Sequence, residues 1–406
     1  MTRFDPARLN RIATWQESYV ADRKFPGSSV LIRQAGEEVY FNAAGRRNLE
    51  ADLPFTRDTL VRIFSMTKPI TSVALMMFVE RGLVSLSTPL SDILPEFTDP
   101  VALVPGATSL DQVAPCASPT MQQVLTHMSG FSYAFNAGIV PDELRARKIG
   151  FDRATPDLSS VIRDLAQVPL AFAPGERWEY SVGIDVIGRV IEVLAGKPFG
   201  AVLAENIFAP LRMASTGFRV PPGTGDRFAA LYTPLAGDPM ALLGGEASAD
   251  TLRLDEAPEG SRYHVSDMHS GGGGLVSTID DFMAFSEMLR QGGRTPDSDH
   301  ILSPATLRFM MRNHLAGEIA DTGPSSFAEQ PMQGMGFGIG GAVVLDPARA
   351  GTPGHSGDFS WGGMASTFFW MDPQADMSVV FFTQLSPSSS YPSRGELKAL
   401  VHGAML

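Results

Sequence analysis

Ser65 and Lys68 stand three positions apart in the stretch FSMTKPITS, residues 64 to 72, where a β-type run gives way to an apolar one. Residues at this spacing share one face of a helix, so the serine hydroxyl and the lysine amine come within hydrogen-bond reach if a helix begins here. A serine at a helix N-terminus has free backbone N–H groups and the helix dipole beside it, and both favour negative charge on its oxygen or on a substrate oxyanion. A lysine buried behind it loses proton affinity and can accept or relay a proton near neutral pH. The plainer reading is an N-cap serine and a lysine whose stem packs while its ammonium reaches water. An isolated pair of this kind arises by chance in roughly one chain in three, so the spacing needs company.

Two other stretches supply it. In APGERWEYSVGIDVIGRVIEVLAG, residues 173 to 196, Tyr180 follows a Pro-Gly turn and precedes a helical pattern. A phenol held there on a loop, next to a lysine ammonium, has a lowered pKa and serves as a general base; a packed amphipathic tyrosine is the alternative. In GHSGDFSWGGMASTFFWMDP, residues 354 to 373, two glycine boxes precede a strand expected to begin near Met364. Glycines at a strand edge allow a ligand to approach the backbone, and an N–H there can complete an oxyanion hole. A plain β-turn explains them equally well.

The elements that must position these groups are legible as patterns. Leu9, Ile12, Ala13 and Trp15 among charges mark an amphipathic first helix, and SSVLIRQAGEEVYFNAAG alternates about Ala35-Gly36-Glu37 as a β-hairpin does. TLVRIFSM reads as a third short β-type run ending at Ser65. From Met66 to Arg81 the spacing becomes helical and apolar most of the way round, with Gly82 where a C-terminal cap belongs. DLSSVIRDLAQV and IDVIGRVIEVLAG are helical segments of a middle region rich in Pro and Gly connections. GAVVLDP, MASTFFWMDP and MSVVFFTQL return to β character before a last helix in SRGELKALVHGAML. Strands at both ends with helices between predict an α+β fold: one antiparallel sheet drawn from residues 1–86 and 267–406, flanked by helices. Residues 87–266 then form a mainly helical inserted domain, with the active site in the cleft between the two.

Composition narrows the function. The chain has 406 residues, 44% of them apolar and 19% charged, which suits a globular protein with a large core. A formal charge of -12 and the lack of any basic block exclude a nucleic-acid partner. No signal-type start and no run long enough to cross a bilayer are present, so the sequence predicts a cytoplasmic protein with no membrane partner. Cys116 is the single cysteine, which leaves no internal disulfide. The SGGGG at Ser270 to Gly274 has neither the lysine nor the ending of a phosphate loop and reads as a flexible turn. His264 and His269 flank Asp267 without an HExxH, so no metal is expected. No G-x-S-x-G elbow of an α/β-hydrolase occurs.

In order and spacing, Ser65-Met66-Thr67-Lys68, LTHMSGF at Leu125 to Phe131, Tyr180-Ser181-Val182, GGGGLVST at Gly271 to Thr278 and WGGMASTFFWMDP at Trp361 to Pro373 resemble the serine β-lactamase and penicillin-binding protein superfamily. The chain is most similar to the family VIII carboxylesterases, with a class C β-lactamase or D-peptidase-like fold. The resemblance implies Ser65 as nucleophile, Lys68 as its partner, Tyr180 as proton shuttle, an oxyanion hole from the backbone N–H groups of Ser65 and Met364, and no cofactor. Two departures bear on the substrate. The lactamase K-T-G box falls on Trp361-Gly362-Gly363, or alternatively on His355-Ser356-Gly357, and the Y-x-N asparagine falls on Val182. Losing a cationic anchor and an amide hydrogen bond costs roughly 3 to 5 kcal/mol of recognition for an anionic lactam and almost nothing for a neutral ester. A neutral short-chain ester is therefore the expected small-molecule substrate, with β-lactams or D-peptides as the alternative. Phe131, Tyr133, Phe135 and Phe151 are candidates for an apolar substrate pocket.

Overall fold

The computed structural model describes residues 4–151, 157–234, 252–328 and 330–406. Its framework is one eight-stranded antiparallel sheet. Helix α1 (Pro6–Ala21) opens on Asp5, whose carboxylate caps the N–H groups of Ala7 and Arg8, and leads into strands β1 (Gly27–Gln34), β2 (Glu37–Asn48) and β3 (Leu53–Pro54). Ala35 and Gly36 both take positive φ, the geometry a two-residue hairpin turn requires. The last third of the chain adds β4 (Met335–Phe337), β5 (Ala342–Val344), β6 (Phe359–Gly362), β7 (Phe368–Asp372) and β8 (Met377–Thr383). The spatial order is β4-β5-β6-β7-β8-β1-β2-β3, so the two ends of the chain meet where β1 lies against β8, with Val30 opposite Phe381.

Both faces of this sheet are buried, which is why its central strands read as nearly continuous apolar runs. Along β8, Val379 and Phe381 point to one core and Val380 and Phe382 to the other; on β7, Phe368 and Trp370 separate from Phe369 and Met371 in the same way. Helix α1 and the C-terminal helix cover the first face with Leu9, Ile12, Leu397 and Val401. On the second face lie helix α2 (Thr67–Glu80), then helix α3 (Gly183–Ala195) packed against α2, and helix α4 (Ile279–Arg290) packed across β8, β1 and β7. The C-terminal helix, α5, spans Ser393–Gly403. Every residue of α2 from Thr67 to Phe78 is buried, as its all-round apolar pattern predicts. No helix among the described residues is long and apolar enough to cross a membrane.

Two expectations are corrected. The run before Ser65 is extended only at Val61–Arg62, which pairs with Val276–Ser277 outside the main sheet, because the chain turns into a 3-10 helix at Phe64–Met66. The strand expected near Met364 begins at Phe368. Gly363 N–H donates to the Thr367 carbonyl at 2.7 Å and Ser366 takes φ +63°, so Met364 sits in the turn joining β6 to β7.

Phe381 is fully buried where the two chain ends meet. Phe381→Ala is expected to lower the unfolding free energy by about 3 to 5 kcal/mol while leaving the activity per folded molecule within a few fold, which denaturant melts and active-site titration check.

Candidate active site

Ser65 lies in the single 3-10 turn that feeds α2, half-buried, in the wall of a cavity of about 1500 Å3. The residue before it, Phe64, is held at φ +42°, a conformation that costs a bulky side chain roughly 1 to 2 kcal/mol. Such strain persists only where surrounding packing over-determines the backbone, and it presents Ser65 to the cavity. One turn on, the Lys68 amine lies 3.1 Å from Ser65 Oγ, 2.9 Å from the Tyr133 hydroxyl and 2.7 Å from the Gly272 carbonyl. Lys68 is 1% exposed. Burial lowers its pKa to about 7, against the attraction of Asp185, which raises it. Lys68 is thus a buried amine poised near neutrality, and the snorkelling alternative is excluded.

Tyr180 lines the cavity beside Ser65, from the loop before α3. Its phenol behaves otherwise than the sequence predicts. Burial, the largest influence, raises its pKa, while the Ser65 hydroxyl, Trp361 and the charge of Arg394 pull it down less strongly. Position explains the difference: the Lys68 amine sits 4.5 Å over the face of the Tyr180 ring rather than beside its oxygen. Tyr180 is therefore a neutral phenol near Ser65, able to pass a proton on, and Lys68 is the stronger candidate for the base.

The third wall is the end of β6. A Cβ added to Gly363 would lie 2.3 Å from the Ile63 carbonyl, so the strand can approach the serine turn this closely only with glycine there. The approach leaves the N–H groups of Ser65 and Met364 without an acceptor among the described residues. Trp361, Gly362, Gly363, Met364, Tyr133, Phe135, Phe151 and Val182 all line the cavity. Phe131 does not: it packs edge-on against Phe97, ring centroids 5.3 Å apart, and is a core residue. His355 is also absent from the lining, because its Nδ1 is 2.7 Å from Asp372 Oδ2 in the turn before β6; Trp361-Gly362-Gly363 is the box beside the serine.

Three features escape the sequence patterns. Asp185, on the first turn of α3, is buried beside Lys68 and accepts hydrogen bonds from Ser270 Oγ and, at 2.9 Å, from Gly272 N–H. A carboxylate among the apolar residues of the first turns of that helix, ahead of the Arg189–Glu192 pair, was the available signal. The glycine run read as a flexible turn delivers the carbonyl that holds Lys68. A cation does stand near the box: Arg394 on α5 brings Nη2 within 2.5 Å of where a Cβ on Gly362 would lie, and it lines the same cavity. For metals, His355, Asp358 and Asp372 are the one group among the described residues close enough to chelate. Lys398, 3.5 Å from Asp358, already brings a cation to that cluster.

A hydroxyl, a buried amine and N–H groups without an acceptor among the described residues converge on one cavity, an arrangement suited to acyl transfer. The Beta-lactamase family matches residues 12–403, and the chain belongs to that family. It is 33% identical over 387 residues to esterase EstB of Burkholderia gladioli, covering 93% of this chain and 90% of EstB. Among solved structures, EstCE1, described as a hydrolase with promiscuous acyltransferase activity, superposes with a TM-score of 0.78 at 30% identity, over 97% of this chain and 98% of that one. Simvastatin synthase from Aspergillus terreus shares the fold, with a TM-score of 0.79 at 22% identity over 98% and 97% of the two chains. The chain is a serine hydrolase with the β-lactamase and penicillin-binding protein fold.

Gly363→Ala is expected to push β6 off the serine turn. The measured result should be a fall in kcat of about a hundredfold, as when one oxyanion donor is lost, with KM changed much less.

Proposed function

We propose that the protein is a serine carboxylesterase that hydrolyses short-chain neutral esters through an acyl-enzyme on Ser65, with Lys68 as base and Tyr180 as proton shuttle. The observation that carries this is the buried Lys68 amine, with a pKa near 7, 3.1 Å from the Oγ of Ser65 in the wall of a cavity that Tyr133, Phe135, Tyr180 and Trp361 also line. Neutral Lys68 takes the Ser65 proton as Oγ attacks the ester carbonyl. The oxyanion that forms is received by the N–H groups of Ser65 and Met364. As the carbon–oxygen bond to the alcohol breaks, Lys68 or the Tyr180 hydroxyl that meets Ser65 returns a proton to the departing oxygen. A water then repeats the sequence on the acyl-enzyme and releases the acid. The esterase relatives support ester hydrolysis, and Trp361 and Val182, standing where the lactamases carry lysine and asparagine, support a neutral substrate.

Arg394 favours a second reading. A guanidinium beside Gly362 offers a carboxylate the anchor that the box itself lacks, which suits a β-lactam or a D-peptide.

Steady-state turnover of p-nitrophenyl butyrate tests the first reading. Ser65→Ala should lower kcat at least about a thousandfold; equal activity in both proteins removes Ser65 as nucleophile. Because the working base is neutral Lys68, kcat/KM should rise with pH through about 7 and fall about tenfold per unit below it. Ser65-dependent hydrolysis of nitrocefin that outruns the ester would move the assignment to the second reading.

A further inference from the structure

The proposed mechanism needs Lys68 to be neutral with its lone pair directed at one particular oxygen, and the packing around the amine shows how that is arranged. A neutral amine has two N–H bonds and one lone pair. Of the three oxygens around Lys68 Nζ, the Gly272 carbonyl at 2.7 Å can only accept. The Tyr133 hydroxyl at 2.9 Å can donate or accept, and its choice is set from behind by the Asp185 carboxylate, which as an anion can only accept and whose interaction with the phenol raises the tyrosine pKa and lowers the carboxyl's. With the Tyr133 proton committed to Asp185, its oxygen must accept from Lys68. Both amine N–H bonds are then taken, and the lone pair faces Ser65 Oγ, the remaining neighbour.

The same glycine turn closes the device. Gly272 gives its carbonyl to Lys68 and its N–H to Asp185, so one peptide segment fixes the distance between base and carboxylate. A Cβ at Gly272 would lie 2.1 Å from Asp185 Oδ2 and 3.0 Å from the Tyr133 oxygen, leaving no room for any side chain. Burial raises the Asp185 pKa, and the Lys68 charge, the hydrogen bonds from Ser270 and Gly272 and the dipole of the first turn of α3 favour its anion against that. The other titratable groups facing Lys68 carry no competing charge: burial raises the pKa values of Tyr133 and Tyr180 and keeps His127 neutral by lowering its own.

We propose that Asp185, acting through Tyr133 and the Gly272 peptide, is a positioning residue that aims the Lys68 lone pair at Ser65 and sets the lower pH limit of the enzyme. This rests on the esterase reading above. Its negative charge favours the protonated amine, so it holds the acid limb of the rate profile higher than burial alone would place it. The carboxylate therefore trades activity at low pH for orientation.

Asp185→Asn removes the charge, and its single amide oxygen can accept from Tyr133 or from Gly272 N–H but not from both. In p-nitrophenyl butyrate hydrolysis its acid limb should move down by at least about one pH unit, with a reduced plateau. Tyr133→Phe removes the second acceptor; its kcat should fall about a hundredfold with KM nearly unchanged. Fluorophosphonate labelling of Ser65 and thermal melts on the same preparations count folded sites. An Asp185→Asn limb coincident with that of the wild type would overturn the proposal, as would a Tyr133→Phe enzyme of undiminished kcat in folded protein. If Ser65→Ala retains wild-type turnover, it is the esterase reading that fails; if Ser65→Ala is inactive and the limb is unmoved, only the role of Asp185 fails.

Discussion

The structure is organised around the burial of a single amine. Removing Lys68 from water disfavours its charged form, which is how a group that ordinarily titrates far above neutrality becomes a base at pH 7. Burial of this degree requires a helix enclosed on all sides, and α2 is enclosed: every residue from Thr67 to Phe78 is buried, with α3 packed against it. It also requires acceptors for the amine, because an unsatisfied polar group at such depth is costly. Ser65, Tyr133 and Gly272 meet that need from three separate parts of the chain. The same enclosure raises the phenol of Tyr180, so one physical cause moves both groups, the amine down and the phenol up.

Close approach is the second constraint, and glycine satisfies it twice. Gly363 lets the end of β6 reach the carbonyl of Ile63, and Gly272 lets a peptide lie between Lys68 and Asp185. Phe64 accepts a left-handed backbone on the other side of the gap. These positions bring strand end, serine turn and glycine turn within hydrogen-bond distance, and the sheet behind them, buried on both faces, keeps them from drifting apart. Preorganised N–H groups are catalytically useful only if they do not relax toward one another, so the rigidity of the sheet is part of the site.

How far the sequence carries depends on whether a feature is local. The hairpin about Ala35-Gly36, the helix from Met66 and the strands Met377–Thr383 and Phe368–Asp372 each announce themselves by period and turn chemistry. Ser65, Lys68 and Tyr180 were legible as residue types in suggestive places, and they converge. What the sequence hid is what tertiary contact alone creates. The run before Ser65 has β propensity, yet it lies where the chain must turn into α2, and only two of its residues stay extended. Phe131 is as aromatic as Phe135, and only packing reveals that one faces Phe97 and the other the cavity. The pKa of Tyr180 was misread because adjacency to a cation was assumed to mean adjacency to the oxygen, whereas the ring face intervenes.

Arg394 extends this lesson from structure to specificity. Reading the K-T-G position as Trp361-Gly362-Gly363 correctly finds no cation within the box, but a box is a place in space as well as in sequence. The side-chain-free Gly362 opens that place to α5, more than thirty residues onward, and a guanidinium occupies it. Charge at the site is thus set by which element reaches the end of β6, and not by the strand alone. On the proposed mechanism, acyl transfer depends on the buried amine and the two N–H groups. Trp361, Val182 and Arg394 line the same cavity without being among those groups, so on that mechanism substrate preference can shift within this fold without any change in the atoms that break the bond.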